Sequence, residues 1–435
     1  MRITPYANIY KMEKGRTRLF AIGAYQDSMG MGRVMRHLAA GLGERYELHF
    51  LALGCPEQQI FEKDGIRYYP VRIPSLRCAH HAATIMLQLK PTITLLSIEP
   101  IWLPNYINAL NRFRDLTCIV GYLPLEGRFK EEKMASWFRY LDCAVVFTQY
   151  SESEIHRVTT LENGVQTVHT AVMPHGVDRH HFFPIAGGFF ENQTMEARRQ
   201  AKQRAFPHRP DLHDSFIVLN ANLPYERKRL DLTVQGFALF ARDKPANVRL
   251  CLHHSIRNEK ERAELKALAE REGVAERLVF SPDESNPDGP LSIEQLNYLY
   301  NACEVGLNTA MGEGWGLVSF EHAATGAAQV VPGHTTFVEN WKDAAEMSTV
   351  VDNFQTLYPP FEMDVVSPAS VALCLERLYT SDTYRLDLAH KAYSRIQQPQ
   401  FDWTYITGRW DDLFNELLDR RRQRNAECRK YDEQA

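Results

Sequence analysis

Short apolar runs alternate with amphipathic stretches along most of this 435-residue chain, and this alternation restricts its fold more than any other feature. Residues 18–23, 46–53 and 92–98 have the composition of buried strands. Residues 35–42, between the first two of these runs, carry apolar side chains at helical spacing. Strands separated by helices of this length predict parallel sheets with helical crossovers.

The same pattern continues in two series. The first adds strand-like runs at 117–120 and 143–148. The second begins after residue 180, with predicted strands at 216–220, 248–252, 278–281 and 305–308 and predicted helices at 230–241, 259–271 and 293–303. Between them, the polar stretch 187–214 contains Gly187-Gly188, Pro207 and Pro210, which favours a boundary loop.

Two series of strands and helices indicate two domains, since 435 residues suit two domains of roughly 200 residues better than one. We predict domains at 1–180 and 181–398, followed by a C-terminal helix at 399–435. Doubly wound halves in series place a cleft between them that faces the carboxyl ends of both sets of strands. Motifs just after strands are therefore the best candidates for ligand binding.

Composition excludes several classes of protein. The 50 basic and 54 acidic residues give a formal charge of −4, which argues against a general nucleic-acid binder. None of the eight cysteines forms a C-x-x-C pair, so buried thiols in a reducing compartment are expected. The first residues do not resemble a signal peptide and no run approaches 18 apolar residues, so we expect a cytoplasmic protein.

The strongest motif is the segment 311–321, MGEGWGLVSFE, which follows the predicted strand 305–308 and leads into a helix. Free N–H groups at the helix start can receive a diphosphate. Glu321 lies roughly 6 Å further along the axis, a suitable offset for ribose hydroxyls, and Glu313 can accept hydrogen bonds from a sugar. The alternative is a glycine-rich turn whose acidic residues merely favour the helix dipole.

Two further segments follow predicted strands. Lys228, after strand 216–220, can neutralise charge on a departing diphosphate, although Arg227-Lys228-Arg229 is also compatible with a solvated basic turn. Gly30 and Gly32 follow the first strand at the positive end of a helix, where glycines also occur for packing reasons.

These motifs together resemble the retaining glycosyltransferases of the GT-B fold, specifically family 4. Glu313 and Glu321 match the E-x7-E element of that family. The segment 172–178, VMPHGVD, is similar to its P-N-G-V-D-x-x-x-F segment, with His175 in place of Asn. The segment 228–237, KRLDLTVQGF, is similar to its K-G-x-x-x-L-I-x-A-F helix start.

The resemblance implies an α/β fold of GT-B type, with two Rossmann-like doubly wound domains, the first for the acceptor and the second for the donor. It implies transfer of a hexosyl group, with retention, from a nucleotide diphosphate sugar. How common each nucleotide is among such donors favours UDP, with GDP as the second choice. Glu313 would contact the donor sugar and Glu321 the ribose. The expected donor-binding residues are Gly30, Gly32, Gly314, Trp315, Gly316, Leu317 and Glu321, and the expected catalytic residues are Lys228, Glu313, Arg227 and Glu126.

Two departures from the family pattern affect this assignment. The family usually places an Arg five or six residues before the Lys, where this chain has Leu223 and Asn222. Arg227 is the candidate substitute. Many relatives also place a His near residues 121–127, where this chain offers only Glu126, which we expect either to orient acceptor or sugar or to cap the backbone.

No metal ion or other cofactor is expected, because Lys228 and the helix start offset the phosphate charge. The sequence leaves open whether the acceptor is a saccharide, lipid, protein or metabolite, and leaves the oligomeric state open. The predicted helix 403–430, which we expect to pack against the protein, carries a basic cluster at 420–424. As an alternative, this cluster contacts an anionic acceptor or a membrane surface. Alternative functions are a GT-B epimerase or phosphorylase, or a catalytically silent nucleotide-sugar binding protein.

Overall fold

The computed structural model describes residues 15–26, 30–130, 132–253, 259–281, 291–356 and 361–432. The chain divides into two compact units. The first contains the described residues up to Ser97, Asn105–Gly121 and the chain from Phe414 onward. The second contains Ile98–Pro104 and Tyr122–Leu413.

The part of the chain up to Tyr122 alternates strands and helices. Its elements are β1 (Arg18–Ala24), α1 (Gly30–Gly43), β2 (Glu47–Leu53), β3 (Phe61–Lys63), β4 (Ile66–Val71), α2 (Arg77–Leu89), β5 (Ile93–Leu96), α3 (Leu103–Leu110) and β6 (Cys118–Tyr122). The strands lie in the order β3-β4-β2-β1-β5-β6. All of these neighbours are parallel except β3, which runs antiparallel to β4. The predicted crossover pattern is therefore confirmed here.

The second unit contains most of the remaining elements. They are β7 (Arg128–Phe129), β8 (Cys143–Val146), α4 (Gln149–Thr159), β9 (Thr170–Val172), α5 (Phe189–Asn192), α6 (Met195–Ala205), β10 (Phe216–Asn220), α7 (Leu230–Ala241), β11 (Val248–His253), α8 (Glu259–Arg271), β12 (Leu278–Ser281), α9 (Ile293–Ala302), β13 (Val305–Leu307), α10 (Leu317–Ala324), β14 (Ala328–Pro332), α11 (Thr335–Trp341), β15 (Glu346–Ser348), β16 (Val350–Gln355), β17 (Phe361–Val366), α12 (Pro368–Thr380), α13 (Asp382–Ile396) and α14 (Trp403–Asp432).

The main sheet of this unit is fully parallel and has the order β12-β11-β10-β13-β14-β15. Counted from β10 as the first strand, this is the 3-2-1-4-5-6 order of doubly wound dinucleotide-binding folds. The order reverses between β10 and β13. That reversal is the topological switch point, outside which such sheets bind their ligands.

A small antiparallel sheet, in the order β16-β17-β7, joins two distant parts of the sequence. In it, Phe129 is paired with Phe361 and Arg128 with Glu362. The pairing holds the chain that follows β6 against the chain that precedes α12. Elsewhere in this unit, β8 is parallel to β9.

Apolar side chains of the main sheet and its helices form one core in the second unit. Its fully buried members include Val218, Val234, Phe237, Val248, Leu250, Leu252, Val305, Val330, Val371 and Leu378. Burial of each such side chain contributes about 1.5–3 kcal/mol. The four elements predicted at 216–220, 230–241, 259–271 and 278–281 have those bounds in the structure, because each pairs a clear apolar period with polar or Gly/Pro boundaries.

The prediction of a boundary loop at 187–214 is wrong, because α5 and α6 lie there. Thr194 caps α6 by accepting a hydrogen bond from the backbone N–H of Ala197 at 3.2 Å. The buried face of α6 includes Arg198, whose guanidinium donates to the carbonyls of Asn301 and Gly326 at 2.7 and 3.1 Å. A charged residue therefore occupies a buried position of α6, so the apolar spacing that predicts a helix is interrupted there.

The C-terminal helix α14 runs from Trp403 to Asp432. Trp410, Leu413, Phe414 and Leu417 are buried, and the ring of Phe414 lies 5.7 Å from that of Tyr46. In the basic cluster, Arg420 pairs with Glu416 and Arg422 with Asp419, so part of its charge is neutralised. No helix of the described chain is both long and apolar enough to cross a membrane.

Candidate functional site

The candidate site lies at the switch point of the main sheet in the second unit. Strands β10 and β13 are parallel neighbours there, with Val218 beside Val305 and Leu219 beside Gly306. The segment that follows β10 carries Arg227 and Lys228, and the segment that follows β13 carries Glu313. Since both segments leave the same edge of the sheet, the topology itself brings these charged side chains together.

A buried polar network fixes the turn that follows β10. The Asn220 side chain accepts hydrogen bonds from the backbone and side-chain nitrogens of Asn222 at 3.0 and 2.9 Å, and donates to Thr233 at 2.8 Å. Thr309, after β13, donates to the carbonyl of Arg229 at 2.9 Å. The network therefore ties the turn to both strands of the switch point.

Lys228 is buried at this turn. Its ammonium donates to Asn222 Oδ1 at 3.2 Å and forms an ion pair with Glu313 Oε1. Burial, reinforced by the charge of Arg227 and opposed by Glu313, lowers the pKa of Lys228 to about 8. The ammonium is thus the favoured form at neutral pH, but it is only weakly favoured.

Arg227 binds the segment that leaves β13. Its Nη1 donates to the carbonyl of Gly312 at 2.9 Å and to Glu313 Oε2 at 3.2 Å. Burial alone would raise the pKa of Glu313, but Lys228 and Arg227 outweigh it and hold that pKa below its ordinary value. Glu313 is therefore a carboxylate, an acceptor fixed by two cations.

Glu126 completes the cluster. Its Oε1 lies 2.6 Å from Arg227 Nη2, and its side chain is 22% exposed. Burial raises the pKa of Glu126, against the lowering effect of the Arg227 charge. The four residues predicted to be catalytic, Lys228, Glu313, Arg227 and Glu126, thus lie together as alternating cations and carboxylates.

The glycine motif lies beside this cluster. The backbone of Gly312 is so close to the Glu126 carbonyl that a Cβ at position 312 would lie 1.7 Å from its oxygen. Gly316, with φ of 92°, occupies the N-cap position of α10 in the left-handed region that favours glycine. Leu317 and Val318, the first residues of α10, are half-buried. Gly312 is thus required by a protein contact, and the helix start has no capping side chain.

The remaining predicted donor residues have well-defined packing. The ring of Trp315 stacks on Phe320 at 4.7 Å, and Gly314 lies beside the ring of Phe147. Glu321, in the second turn of α10, is buried and accepts a hydrogen bond from Tyr300 Oη at 3.3 Å. All three therefore have structural partners within the second unit.

Gly30 and Gly32 lie in the first unit. Gly30 begins α1, and Gly32 is buried in its first turn. The structure therefore places them in a helix rather than in a loop that precedes one. Their predicted donor contacts remain a prediction.

Two features of the site were missed by the sequence analysis. Asn222 was noted only as an absent Arg, whereas its side chain accepts from Lys228. His175 is buried among aromatic rings, 4.1 Å from Phe147 and 5.5 Å from Trp315, and has no hydrogen-bond partner within the described part of the chain. Burial lowers the pKa of His175 to about 3, so its imidazole is neutral. An Asn-x-Asn pattern after a buried strand could have indicated the first feature. The family resemblance places His175 where relatives have Asn, but no sequence signal indicates its aromatic surroundings.

Metal ligation is not evident at this site. Within the described residues, no group of three or more His, Cys, Asp or Glu side chains is placed to hold a metal ion. The seven cysteines whose side chains are described are free and buried.

Comparisons with known proteins agree on the fold. Sucrose-phosphate synthase from Thermosynechococcus elongatus superposes with a TM-score of 0.71 at 16% identity, covering 93% of this chain and 100% of that one. Anabaena HepE in complex with UDP and glucose gives 0.66 at 13% identity, covering 92% and 100%. The α,α-trehalose-phosphate synthase (UDP-forming) from Burkholderia xenovorans, in complex with glucose-6-phosphate, gives 0.64 at 13% identity, covering 93% and 100%.

The fold is therefore the GT-B fold of glycosyltransferases, as predicted. No family model and no curated protein matches the sequence. At identities this low, the comparisons establish the fold alone.

Proposed function

We propose that this protein is a retaining glycosyltransferase that moves a hexosyl group from a nucleotide diphosphate sugar to a saccharide acceptor. One observation carries the proposal: two adjacent cations, Lys228 and Arg227, and the carboxylate of Glu313 meet at the switch point of a parallel sheet. Phosphate-bearing ligands bind at such points, where two cations can offset the charge of a diphosphate.

The similar structures support the substrate classes. HepE was solved with UDP and glucose, and the Burkholderia xenovorans synthase is UDP-forming and was solved with glucose-6-phosphate. We therefore favour UDP as the nucleotide, with GDP as the alternative, and a sugar or sugar phosphate as acceptor. Membership of family 4 is part of the same proposal and rests on the sequence motifs. A cytoplasmic location is proposed with it, as the sequence analysis expects.

Three residues of the cluster, Lys228, Arg227 and Glu313, have roles in this proposal. Lys228 and Arg227 offset the negative charge that builds on the diphosphate as the bond to the sugar breaks. Glu313 accepts hydrogen bonds from sugar hydroxyls, and the N–H groups at the start of α10 bind phosphate oxygen. Glu321 binds the ribose hydroxyls. The departing phosphate takes the proton of the acceptor hydroxyl on the same face of the sugar, so no protein nucleophile and no metal ion is required.

The test has two stages. UDP-, GDP-, ADP- and dTDP-glucose are first screened for a rise in Tm, and the donor that binds is then incubated with glucose or glucose 6-phosphate. We expect one nucleotide to raise Tm and nucleoside diphosphate to be released only when acceptor is present. No rise in Tm with any donor would overturn the proposal. Release of nucleotide without acceptor would indicate an epimerase or hydrolase instead.

The stereochemistry is tested on the product of that reaction. The anomeric proton coupling in the NMR spectrum distinguishes an α- from a β-linked glycoside. Because the common UDP-hexoses are α-anomers, a retaining enzyme gives an α-linked product. A β-linked product would reject retention while leaving glycosyl transfer intact.

A further inference from the structure

Arg227, the proposed phosphate ligand, is already bound by a carboxylate from another part of the chain. Glu126 Oε1 lies 2.6 Å from Arg227 Nη2 and forms an ion pair with it. A carboxylate and a phosphate present similar oxygen acceptors to a guanidinium, which binds either through its fork of N–H groups. Glu126 is therefore paired with the same guanidinium that a phosphate would use.

Several carboxylates already act on the guanidinium of Arg227. Burial lowers the pKa of Arg227, but the carboxylates of Glu126, Glu313 and Glu99 raise it and prevail. The neighbouring cation, Lys228, shares Glu313 with Arg227. A diphosphate that enters while Glu126 stays in place would bring like charges together at a largely buried site, which is unfavourable.

The backbone around Glu126 is held firmly. The carbonyl of Glu126 lies against Gly312, and three residues later Phe129 pairs with Phe361 in the small antiparallel sheet. The rings of Phe129 and Phe361 also lie 5.0 Å apart. By contrast, the Glu126 side chain is 22% exposed and its carboxylate is paired with Arg227. We therefore expect exchange at Arg227 to require a side-chain movement only.

We infer that the Glu126 carboxylate occupies on Arg227 the position that a phosphate of the donor takes, and that it competes with the donor for this guanidinium. The inference rests on the proposed function, because it takes Arg227 as a phosphate ligand. It replaces the role expected from sequence, in which Glu126 orients the acceptor or the sugar. Donor binding then exchanges one ion pair for another.

The test compares nucleotide affinity in three proteins by calorimetric titration with UDP. The variant Glu126→Gln keeps the shape of the side chain and removes its charge. We expect it to bind UDP about tenfold more tightly than wild type, because an ion pair with Arg227 no longer has to be broken. Equal or weaker binding would overturn the inference, and weaker binding would mean that Glu126 positions Arg227 for the ligand.

The matched control is Glu362→Gln. Glu362 lies on β17, where it is paired with Arg128, two residues after Glu126. The variant therefore removes one carboxylate charge near Glu126, from a residue outside the ion pairs of Arg227 described above. Its affinity for UDP should stay within about twofold of wild type. An equal tightening in both variants would show that general charge, rather than competition at Arg227, sets the affinity, and would also reject the inference.

A second variant protects the test against a folding defect in Glu126→Gln. Glu126→Asp keeps the charge but shortens the side chain by one methylene, so its bond to Arg227 weakens and UDP should bind moderately more tightly than to wild type. If wild type binds GDP, ADP or dTDP instead, that nucleotide replaces UDP. Binding of none of the four to any variant would reject the proposed function itself, whereas wild-type binding without tightening in the Glu126 variants would reject only the inference.

Discussion

Two buried lysine–glutamate pairs lie at opposite ends of the same neighbouring strands, β10 and β13. At the amino ends, Lys202 of α6 donates to Glu304 at 2.5 Å and to the carbonyl of Ser215 at 2.6 Å. At the carboxyl ends, Lys228 pairs with Glu313. Both pairs are almost fully buried, with side chains between 5% and 13% exposed.

The two pairs differ in how completely their charges are matched. At the amino ends, the ammonium of Lys202 pairs with the carboxylate of Glu304. The backbone N–H of Ile217 also donates a hydrogen bond to Glu304 Oε2 at 2.7 Å. At the carboxyl ends, Lys228 and Arg227 share Glu313, and Arg227 also holds Glu126. The amino-end pair, whose remaining hydrogen bonds go to backbone groups, fixes α6 on the sheet. The carboxyl-end side chains share their partners, so one of those partners can be replaced by a ligand. We therefore expect the amino-end pair to control stability and the carboxyl-end pair to control activity.

The largest expected effect is on turnover at the carboxyl ends. Lys228→Ala and Glu313→Ala should each lower kcat on the order of 10²- to 10³-fold, because each removes a group that stabilises charge or positions the sugar during transfer. Far-UV circular dichroism should show a folded protein in both cases. Near-wild-type rates in both variants would show that the carboxyl-end pair does not control activity.

The next effect is on stability at the amino ends. Lys202→Met leaves Glu304 buried without its ammonium and should lower the free energy of unfolding by about 3 kcal/mol, measured by urea denaturation. Its kcat, assayed well below the Tm, should equal that of wild type. A variant that is stable but inactive would show that the amino-end pair is not merely structural.

A smaller effect concerns pH. The pKa of Lys228, lowered to about 8 by burial and by Arg227 against the opposing effect of Glu313, lies within the accessible range. Because only the ammonium form offsets phosphate charge, kcat/KM should be constant below this pKa and fall about tenfold per pH unit above it. In Lys228→Arg the guanidinium stays charged, so the alkaline fall should disappear even if the rate is lower. An unchanged alkaline limb in that variant would assign the titration to another group.

The fold could be predicted from the sequence because it depends on local patterns. The apolar runs that become β10 and β12 and the amphipathic period of α7 are visible within short windows, and their alternation alone implies parallel sheets. The helix α6 was missed because its buried face includes Arg198 and Lys202, whose charges are satisfied by partners distant in the sequence. Hydrophobic periodicity cannot detect a core position that is filled by a paired charge.

The site could be predicted only as far as its motifs extend. Glu313 and Lys228 follow strands that the pattern identifies, so their meeting at the switch point could be expected. The contact between Glu126 and Arg227 could not, because the two residues are distant in the sequence and no pattern in either segment pairs them. Nor could the contact of Gly312 with the Glu126 carbonyl, which leaves no room for a Cβ at position 312.

The smallest effect tests the backbone of the carboxyl-end turn. Arg229, which stands where the family motif has glycine, is in the left-handed region with φ of 49° and forms an ion pair with Asp231. Arg229→Gly should be more stable than Arg229→Ala by about 1 kcal/mol, because both lose the ion pair but only alanine keeps a Cβ that is unfavourable in this conformation. Urea denaturation of the two variants measures the difference.

The control for this comparison lies on α6, the helix of the amino-end pair. Gln200 is exposed there in ordinary helical conformation, so Gln200→Gly should be less stable than Gln200→Ala by a similar amount. The sign of the glycine–alanine difference should therefore reverse between positions 229 and 200. If the alanine variant were the more stable at both positions, residue 229 would not be held in the left-handed conformation. The hydrogen-bond network around Asn222 would then not fix the turn that positions the Lys228 ammonium.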